Sequence, residues 1–281
     1  MLSYQHGFHA GNFADVHKHW ICARVLDALC AKPKPWMWYE THAGRALYDL
    51  HSEQARKTGE ADEGIVRLLA AGDAPEVFGS YLSVQRSVND GETLRWYAGS
   101  PLLAARREHE GRALTLCELH PGEWTHLKQA LAGVRSCHLH HRDGFEGIAA
   151  LVPPAQGRGA ILVDPSYEDK ADYTRIPRWA KGVLRRWRGA VIAVWYPILA
   201  VPHHRDLLMG LKAQGLRHVW RSELIRTPGA DSRQRMLGSG MVLINPPWRL
   251  ADDIASGWDW LVETLKADAE ASTGSQIWIP E

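Results

Sequence analysis

Short apolar runs alternate with helix-like segments along much of this 281-residue chain. Residues 13–31 carry a rough apolar stripe behind Asn12, which can cap a helix, and the run from Trp36 to Glu40 is typical of a buried strand. The pattern predicts further strands at 113–119, 134–144, 160–164, 190–197, 217–226 and 240–245. Between them it predicts helices at 100–107, 123–132, 144–151, 178–187 and 205–214. This alternation indicates βαβ units and a mostly parallel sheet.

Residues 45–99 interrupt the alternation, because they are polar, helical in pattern and contain no convincing strand. The chain is therefore predicted in three parts: an N-terminal active-site segment, helix and first strand at 1–44, an inserted helical subdomain at 45–99, and the remainder of the core at 100–281. The last two strands lack a helix between them, which indicates one antiparallel strand at the sheet edge. This order is that of the α/β, Rossmann-like class I S-adenosylmethionine-dependent methyltransferase fold.

Two tetrapeptides that follow apolar strands compete as the catalytic motif: Asp164 to Tyr167 (DPSY) and Asn245 to Trp248 (NPPW). An acid at the carboxyl end of a parallel strand lies where open α/β folds bind ligands. Asp164 and the Pro165 carbonyl could accept hydrogen bonds from the amino group of an aromatic base, with Tyr167 against its ring. The alternative is an ordinary turn, since Asp-Pro is a common turn dipeptide. Strand counting makes DPSY the end of the fourth strand, so we favour it and expect Trp248 to pack locally.

Other strand ends carry polar or small residues that could bind a nucleoside cofactor. A glycine turn, Thr41 to Gly44, follows the first strand and lets a ligand approach the backbone. Glu118 ends the second strand, where an acid can reach ribose hydroxyls, and Asp143 and Gly144 end the third, near an adenine edge. The strict G-x-G-x-x-G fingerprint is missing from the sequence, which disfavours NAD.

Composition and charge limit the partners and the cellular location that we expect for the protein. A net charge of +1 argues against a strongly basic nucleic-acid protein, while leaving local basic patches open. One such patch, Lys181 with Arg185, Arg186 and Arg188, is either a solvated helix face or a phosphate track. The sequence has four cysteines without metal-site spacing, no secretory signal and no apolar stretch that approaches about 20 residues. These features predict a reduced, cytoplasmic protein. Nothing indicates an obligate dimer, so we predict a monomer that uses no metal.

The chain resembles the RlmJ-type 23S ribosomal RNA adenine-N6 methyltransferases along essentially its whole length. The most specific match is the segment from Tyr4 to His19, which fits the family pattern Y-x-H-x-F-H-A-G-N-x-A-D-V-x-K-H at every fixed position. Further matches include Thr41 to Gly44, Gly99 to Leu102, Glu118 to Pro121 and Trp195-Tyr196-Pro197.

The resemblance implies S-adenosylmethionine as the cofactor and 23S ribosomal RNA as the partner. It implies cofactor contacts at His19, His42, Ser100, Glu118, Asp143, Gly144 and Asp164. It also implies active-site roles for Tyr4, His6 and Lys18, carried by an N-terminal segment that folds over the site. We expect Lys18 and the arginine clusters to meet RNA phosphates.

Two departures from the family pattern bear on activity. The family usually has D-P-P-Y where this chain has Ser166 at the third position, and it has a second glycine where this chain has Ala46. The methyl group of Ala46 is expected near the cofactor, where it could reduce affinity.

The predicted reaction is N6-methylation of a single adenine in 23S ribosomal RNA, with Asp164, Pro165 and Tyr167 as the catalytic motif. Asp164 and the Pro165 carbonyl would redirect the N6 lone pair towards the methyl group, and Tyr167 would replace the stacking lost by the flipped base. Two alternatives remain at this stage. One is a DNA adenine-N6 methyltransferase, and the other is a non-catalytic nucleic-acid-binding protein with a degenerate site.

Overall fold

The computed structural model describes residues 4–91, 93–107, 110–226 and 236–280. The strands in these residues are β1 (Trp36–Glu40), β2 (Leu47–Asp49), β3 (Trp96–Ala98), β4 (Arg112–Cys117), β5 (Cys137–His140), β6 (Gly159–Val163), β7 (Val191–Ile198), β8 (Val219–Ile225), β9 (Gly238–Ile244) and β10 (Thr273–Ile279). The α-helices are α1 (Phe13–Cys30), α2 (Glu53–Thr58), α3 (Ile65–Ala70), α4 (Gly79–Ser87), α5 (Ser100–Ala105), α6 (Pro121–Ala130), α7 (Gly144–Leu151), α8 (Asp172–Arg186), α9 (His204–Ala213) and α10 (Leu250–Leu265). Short 3₁₀ helices span His6–Phe8, Glu60–Glu63 and Glu76–Phe78.

Eight of these strands form one sheet in the order β10-β8-β9-β7-β6-β1-β4-β5. Strands β1, β4, β5, β6 and β7 are mutually parallel, and β9 runs antiparallel to both β7 and β8. The predicted Rossmann-like methyltransferase fold is confirmed, including its antiparallel strand. That strand lies inside the sheet, however, whereas the edge is β10, which the sequence pattern did not reveal. Polar residues interrupt its apolar ones, so it lacks the alternation that marks a half-buried strand.

Helices cover both faces of the sheet and enclose two core clusters. One cluster contains residues of α1, α4, α5, α6 and α10, and the other contains residues of α7, α8 and α9. Helix α1 begins at the predicted residue because the Asn12 side chain accepts hydrogen bonds from the backbone nitrogens of Ala14 and Asp15. Helix α10 was not predicted. None of the helices in the described part of the chain has the length and apolar character that crossing a bilayer requires.

The region 45–99 contains α2, α3 and α4, as its helical pattern predicted. The prediction that it has no strand is wrong, because β2 and β3 pair antiparallel near its two ends. Each strand is only three residues long, which is too short for alternation to stand out in the sequence.

The sheet register places the two competing tetrapeptides on opposite edges. Asp164 directly follows β6, at the carboxyl edge of the parallel strands. Asn245 follows β9, whose last residue, Ile244, pairs with Ile192 near the start of β7. The positions that strand counting predicted for the two tetrapeptides are confirmed, while the choice of Asp164 as the catalytic acid stays a prediction. The expected local packing of Trp248 is wrong, because this residue is 90% exposed.

Candidate active site

A cavity of about 1230 Å³ opens at the carboxyl edge of the parallel strands. The N-terminal segment, the strand ends and residues 57–63 of the insertion contribute to its walls. Every site residue predicted from the sequence lines this cavity: Tyr4, His6, Lys18, His19, His42, Ser100, Glu118, Asp143, Gly144, Asp164, Pro165 and Tyr167. The fold thus brings together residues that are up to 163 positions apart, as in the pair Tyr4 and Tyr167.

Asp164 is held by a buried lysine on α1. The Lys18 ammonium lies 2.6 Å from Asp164 Oδ2 and 2.9 Å from Asp15 Oδ1. Burial by itself lowers the pKa of Lys18, but these two carboxylates outweigh it and hold that pKa well above its ordinary value. Lys18 therefore remains charged and fixes one carboxylate oxygen of Asp164, which leaves Oδ1 to accept a hydrogen bond from a substrate.

The prediction that Lys18 meets an RNA phosphate is wrong. Its side chain is 4% exposed, and its ammonium is already engaged by Asp15 and Asp164. A sequence pattern shows a lysine on a helix, and only the packing of α1 against the sheet shows that its head is buried.

The contacts continue from Asp15 into the N-terminal segment. Asp15 Oδ2 lies 2.8 Å from His6 Nε2, and His6 Nδ1 lies 2.8 Å from the Tyr4 hydroxyl. Burial raises the pKa of Asp15, but His6 and Lys18 reverse this and hold the pKa well below its ordinary value. The Tyr4 backbone nitrogen donates to Glu168 Oε2 at 3.0 Å, two residues beyond Ser166 in the loop that carries Asp164. A chain of polar contacts therefore connects Tyr4, His6, Asp15, Lys18 and Asp164.

Tyr167 has a different environment from the one predicted. Its ring is 1% exposed and stacks on Tyr173 with centroids 4.4 Å apart, while its hydroxyl donates to the Trp195 carbonyl at 2.5 Å. Because Tyr173 covers one face of the ring and almost none of the residue is exposed, the ring offers little surface to a base, and we assign Tyr167 to the support of the turn. Among the described residues, no donor is hydrogen-bonded to the Pro165 carbonyl, and its role as an acceptor for the substrate stays a prediction.

Trp195 is an aromatic cavity residue to which the sequence reasoning gave no role. Its ring is half-buried, lines the cavity and lies 5.3 Å from Lys18 Nζ, while its Nε1 donates to Ser239 Oγ at 3.0 Å. The motif Trp195-Tyr196-Pro197 matches the family pattern, and that signal could have drawn attention to the residue.

The residues that follow β1 and β4 surround the Glu118 carboxylate with backbone donors. Its carboxylate accepts hydrogen bonds from the backbone nitrogens of Gly44 at 2.8 Å and His120 at 2.7 Å. Gly44 has a left-handed φ of 63°, and a Cβ there would lie 2.4 Å from the Tyr48 hydroxyl oxygen. The turn therefore requires glycine and fixes an acid at the cavity wall, as recognition of a ribose requires.

Ser100 is backed by a buried carboxyl group that the sequence analysis treated only as part of a strand. Ser100 Oγ lies 2.8 Å from Glu40 Oε2, and Trp38 Nε1 donates to Glu40 Oε1 at 2.7 Å. Burial raises the pKa of Glu40 to about 8, so the group is predominantly protonated at neutral pH. Glu40 thus orients the Ser100 hydroxyl from beneath the cavity wall without adding negative charge there.

The third strand end is fixed by close packing and an ion pair. Asp143 accepts from the Glu146 backbone nitrogen at 3.0 Å, capping α7, and pairs with Arg175 at 3.1 Å. A Cβ at Gly144 would lie 2.0 Å from the Thr41 carbonyl oxygen, so glycine is needed where the first and third strand ends meet.

Two cavity histidines are kept neutral. Burial lowers the pKa of His42 to about 4 and that of His19 to about 3. His19 Nδ1 lies 2.5 Å from the Tyr97 hydroxyl, and His42 Nδ1 lies 2.8 Å from Thr41 Oγ1.

Within the described ranges, no group of three His, Cys, Asp or Glu residues could hold a metal ion.

Ala46, which the sequence predicts to lie near the cofactor, does not line the cavity. The residue is fully buried in the core cluster, and it adopts a left-handed φ of 66°, which favours glycine. The Ala46 methyl group therefore affects backbone strain and core packing and is not part of the cavity wall.

Comparison with known proteins identifies the family of the chain. Residues 33–279 match the family model described as Ribosomal RNA large subunit methyltransferase D, RlmJ. The chain belongs to the RlmJ family. It is 38% identical over 265 residues to Ribosomal RNA large subunit methyltransferase J of Escherichia coli K12, covering 94% of each chain. It is 36% identical to the protein of that name from Haemophilus influenzae, covering both chains fully.

A solved structure shares the architecture of this RlmJ-family chain. The crystal structure of a Legionella pneumophila protein is 33% identical to it, with a TM-score of 0.87, and the match covers 97% of this chain and 99% of that one. The RlmJ family model begins at residue 33, whereas the Lys18 contact to Asp164 comes from α1, which precedes that residue.

Proposed function

We propose that this protein transfers a methyl group from S-adenosylmethionine to N6 of a single adenine in 23S ribosomal RNA. Family membership supports this proposal, because both curated relatives carry the name of a large-subunit ribosomal RNA methyltransferase. The structural observation that carries it is the Lys18–Asp164 contact of 2.6 Å at the carboxyl end of β6, next to Pro165.

The residues of the cavity fit S-adenosylmethionine. Glu118 is positioned by two backbone nitrogens to accept from ribose hydroxyls, and the turns at Gly44 and Gly144 leave room for close approach. Ser100, His19, His42, Asp143 and Asp164 line the same cavity and are assigned to the cofactor in this proposal. When bound, S-adenosylmethionine supplies the electrophilic methyl group.

The chain itself positions the adenine amino group. Asp164 Oδ1 and the Pro165 carbonyl oxygen each accept a hydrogen bond from one of its two N–H groups. These hydrogen bonds localise the nitrogen lone pair on the side of the cofactor. Lys18 holds Asp164 by its other oxygen, so the carboxylate cannot rotate away from the substrate. Tyr4 and His6 close the cavity from the N-terminal side, and Trp195 provides the aromatic surface that the flipped adenine requires.

Methylation of unmodified large-subunit ribosomal RNA with labelled S-adenosylmethionine tests the proposal. We expect Asp164→Asn and Lys18→Met to lower kcat by about a hundredfold or more, because each removes part of the group that orients the amino nitrogen. The exposed Asp252 of α10 offers a matched control, and Asp252→Asn should leave kcat unchanged.

Three results would contradict the proposal. Preferential methylation of DNA in a direct competition would favour a DNA adenine methyltransferase. Failure of the wild-type protein to bind S-adenosylmethionine in a calorimeter would favour a non-catalytic protein. Full activity of Asp164→Asn would remove this carboxylate from the reaction.

A further inference from the structure

Helix α8 carries an exposed row of cations that the active site does not use. Its apolar side packs into the core through Tyr173, Ile176, Ala180 and Val183. The opposite side, continued just beyond the helix end, forms what we call the α8 stripe: Arg178, Lys181, Arg185, Arg186 and Arg188. All of these are exposed except Lys181, which is half-buried. The sequence from Tyr173 to Gly189 contains no Asp or Glu.

Most of this positive charge is uncompensated. Among the residues that the structure describes, no carboxylate lies within 4.0 Å of Arg178, Lys181, Arg185 or Arg188. Arg175, one turn before the stripe, is by contrast paired with Asp143 at 3.1 Å. Since the whole chain has a net charge of only +1, the stripe is a local concentration of charge that suits a polyanion.

The stripe leads away from the catalytic cavity. Lys170, just before α8, lines the cavity, and the first turns of the helix pair with the cavity residue Asp143. The helix then runs from the carboxyl edge of the sheet towards the opposite edge, where β7 begins. At a rise of about 1.5 Å per residue, the stripe extends roughly 15 Å along the protein surface. A chain whose target nucleotide occupies the cavity can therefore lay its flanking backbone along it.

The loop that follows β9 is held at the far end of the stripe and carries an exposed tryptophan. Asn245 Nδ2 donates to the carbonyl oxygens of Arg188 and Ala190, both at 2.9 Å, and so holds the loop after β9 against the end of α8. Trp248, in that loop, is 90% exposed. Cations beside an exposed aromatic ring are the pairing with which proteins bind the backbone and bases of RNA.

We propose that the α8 stripe and Trp248 form a second RNA-contact surface outside the active site. The cations contact phosphates that flank the target adenine, and the Trp248 indole stacks on an unpaired base. This proposal rests on the proposed function, because it assigns the substrate RNA of that same site to the surface. It also gives the NPPW sequence a role in binding rather than in catalysis.

The test uses a triple variant, Arg178→Gln/Lys181→Gln/Arg185→Gln, and a single variant, Trp248→Ala, in the full-length protein. We expect both to raise KM for an unmodified large-subunit rRNA fragment about fivefold or more, with kcat and the KM for S-adenosylmethionine unchanged. The triple variant should also reduce the slope of log affinity against log salt by about two to three, since each phosphate contact contributes about 0.7–0.9. Trp248→Phe should recover most of the affinity.

A matched control separates the surface from net charge. The triple variant Lys34→Gln/Arg86→Gln/Lys266→Gln removes the same charge from scattered exposed positions, and it should leave the RNA affinity and the salt slope nearly unchanged. Equal effects of the two triple variants would overturn the proposal, as would binding of the stripe to anionic lipid vesicles but not to RNA. Absence of methylation by the wild-type protein would instead reject the proposed function.

Discussion

At the scale of single residues, the turn after β1 contains two residues with left-handed backbone. Gly44 matches the family pattern, and Ala46 departs from it. Gly44 and Ala46 both adopt positive φ, at 63° and 66°, but only Gly44 lines the cavity. The nitrogen of Gly44 also donates to Glu118. The two positions therefore have opposite sensitivities to a methyl group.

We predict that Ala46→Gly leaves the affinity for S-adenosylmethionine unchanged within about twofold, because the methyl group it removes lies in the core. Gly44→Ala should weaken binding by about tenfold or more, because a Cβ would lie 2.4 Å from the Tyr48 hydroxyl oxygen and the residue is left-handed. Isothermal titration calorimetry measures both. A large gain in affinity for Ala46→Gly would place its methyl group against the cofactor after all.

At the scale of elements, the C-terminal helix and strand complete the fold on the side where the sequence pattern is weakest. Strand β10 pairs with β8 at the sheet edge, and Trp220 Nε1 donates to Ser275 Oγ at 2.8 Å. Gly274 packs against Trp258 of α10, and Trp258 in turn contacts His17 of α1, with ring centroids 5.8 Å apart. The strand therefore stabilises the helix that carries Lys18.

We predict that Gly274→Ala lowers the free energy of unfolding by about 1–3 kcal/mol, because the new Cβ would lie 2.4 Å from Trp258 Cγ. The matched control is Gly182→Ala in α8, where nothing lies within 4 Å of the added Cβ. It should leave stability unchanged or raise it by about 0.5–1 kcal/mol. Chemical denaturation of the two variants compares them directly, and equal stabilities would show that β10 adapts without displacing Trp258.

At the scale of the whole molecule, neutral buried histidines make folding depend on pH. His17 is fully buried between Ser239 Oγ and Ser222 Oγ, each 3.0 Å away, and thereby ties α1 to β8 and β9. Burial lowers its pKa from 6.5 to about 3. Between these two pH values the unfolded chain binds a proton that the folded protein does not, so stability is lost as pH falls.

We predict that the His17 contribution to the free energy of unfolding falls below pH 6.5 by up to about 1.4 kcal/mol per pH unit. His17→Gln keeps a donor and an acceptor between the two serines but cannot titrate. The stability difference between the wild type and this variant should be constant above pH 7 and shrink, or change sign, towards pH 5. A flat difference between pH 7 and pH 5 would mean that His17 is not buried in its neutral form.

Much of the fold, and the set of residues that line the cavity, follow from the amino-acid sequence alone. Apolar runs near 36–40 and 160–164 predicted buried strands because their periodicity is local, and parallel topology then required Asp164, Glu118 and Gly44 to meet at one edge. Strand counting alone set aside Asn245. These inferences need only the order of the elements along the chain.

Which side chains are exposed, buried or already paired becomes clear only in the folded protein. The head of Lys18 is buried against Asp164, the Tyr167 ring is stacked on Tyr173, the Ala46 methyl group lies in the core and Trp248 is exposed. The pattern of the sequence could not show these outcomes, because burial and ion pairing arise between segments far apart in the chain. Lys18 and Asp164, for example, are 146 residues apart, and no local propensity encodes their 2.6 Å contact.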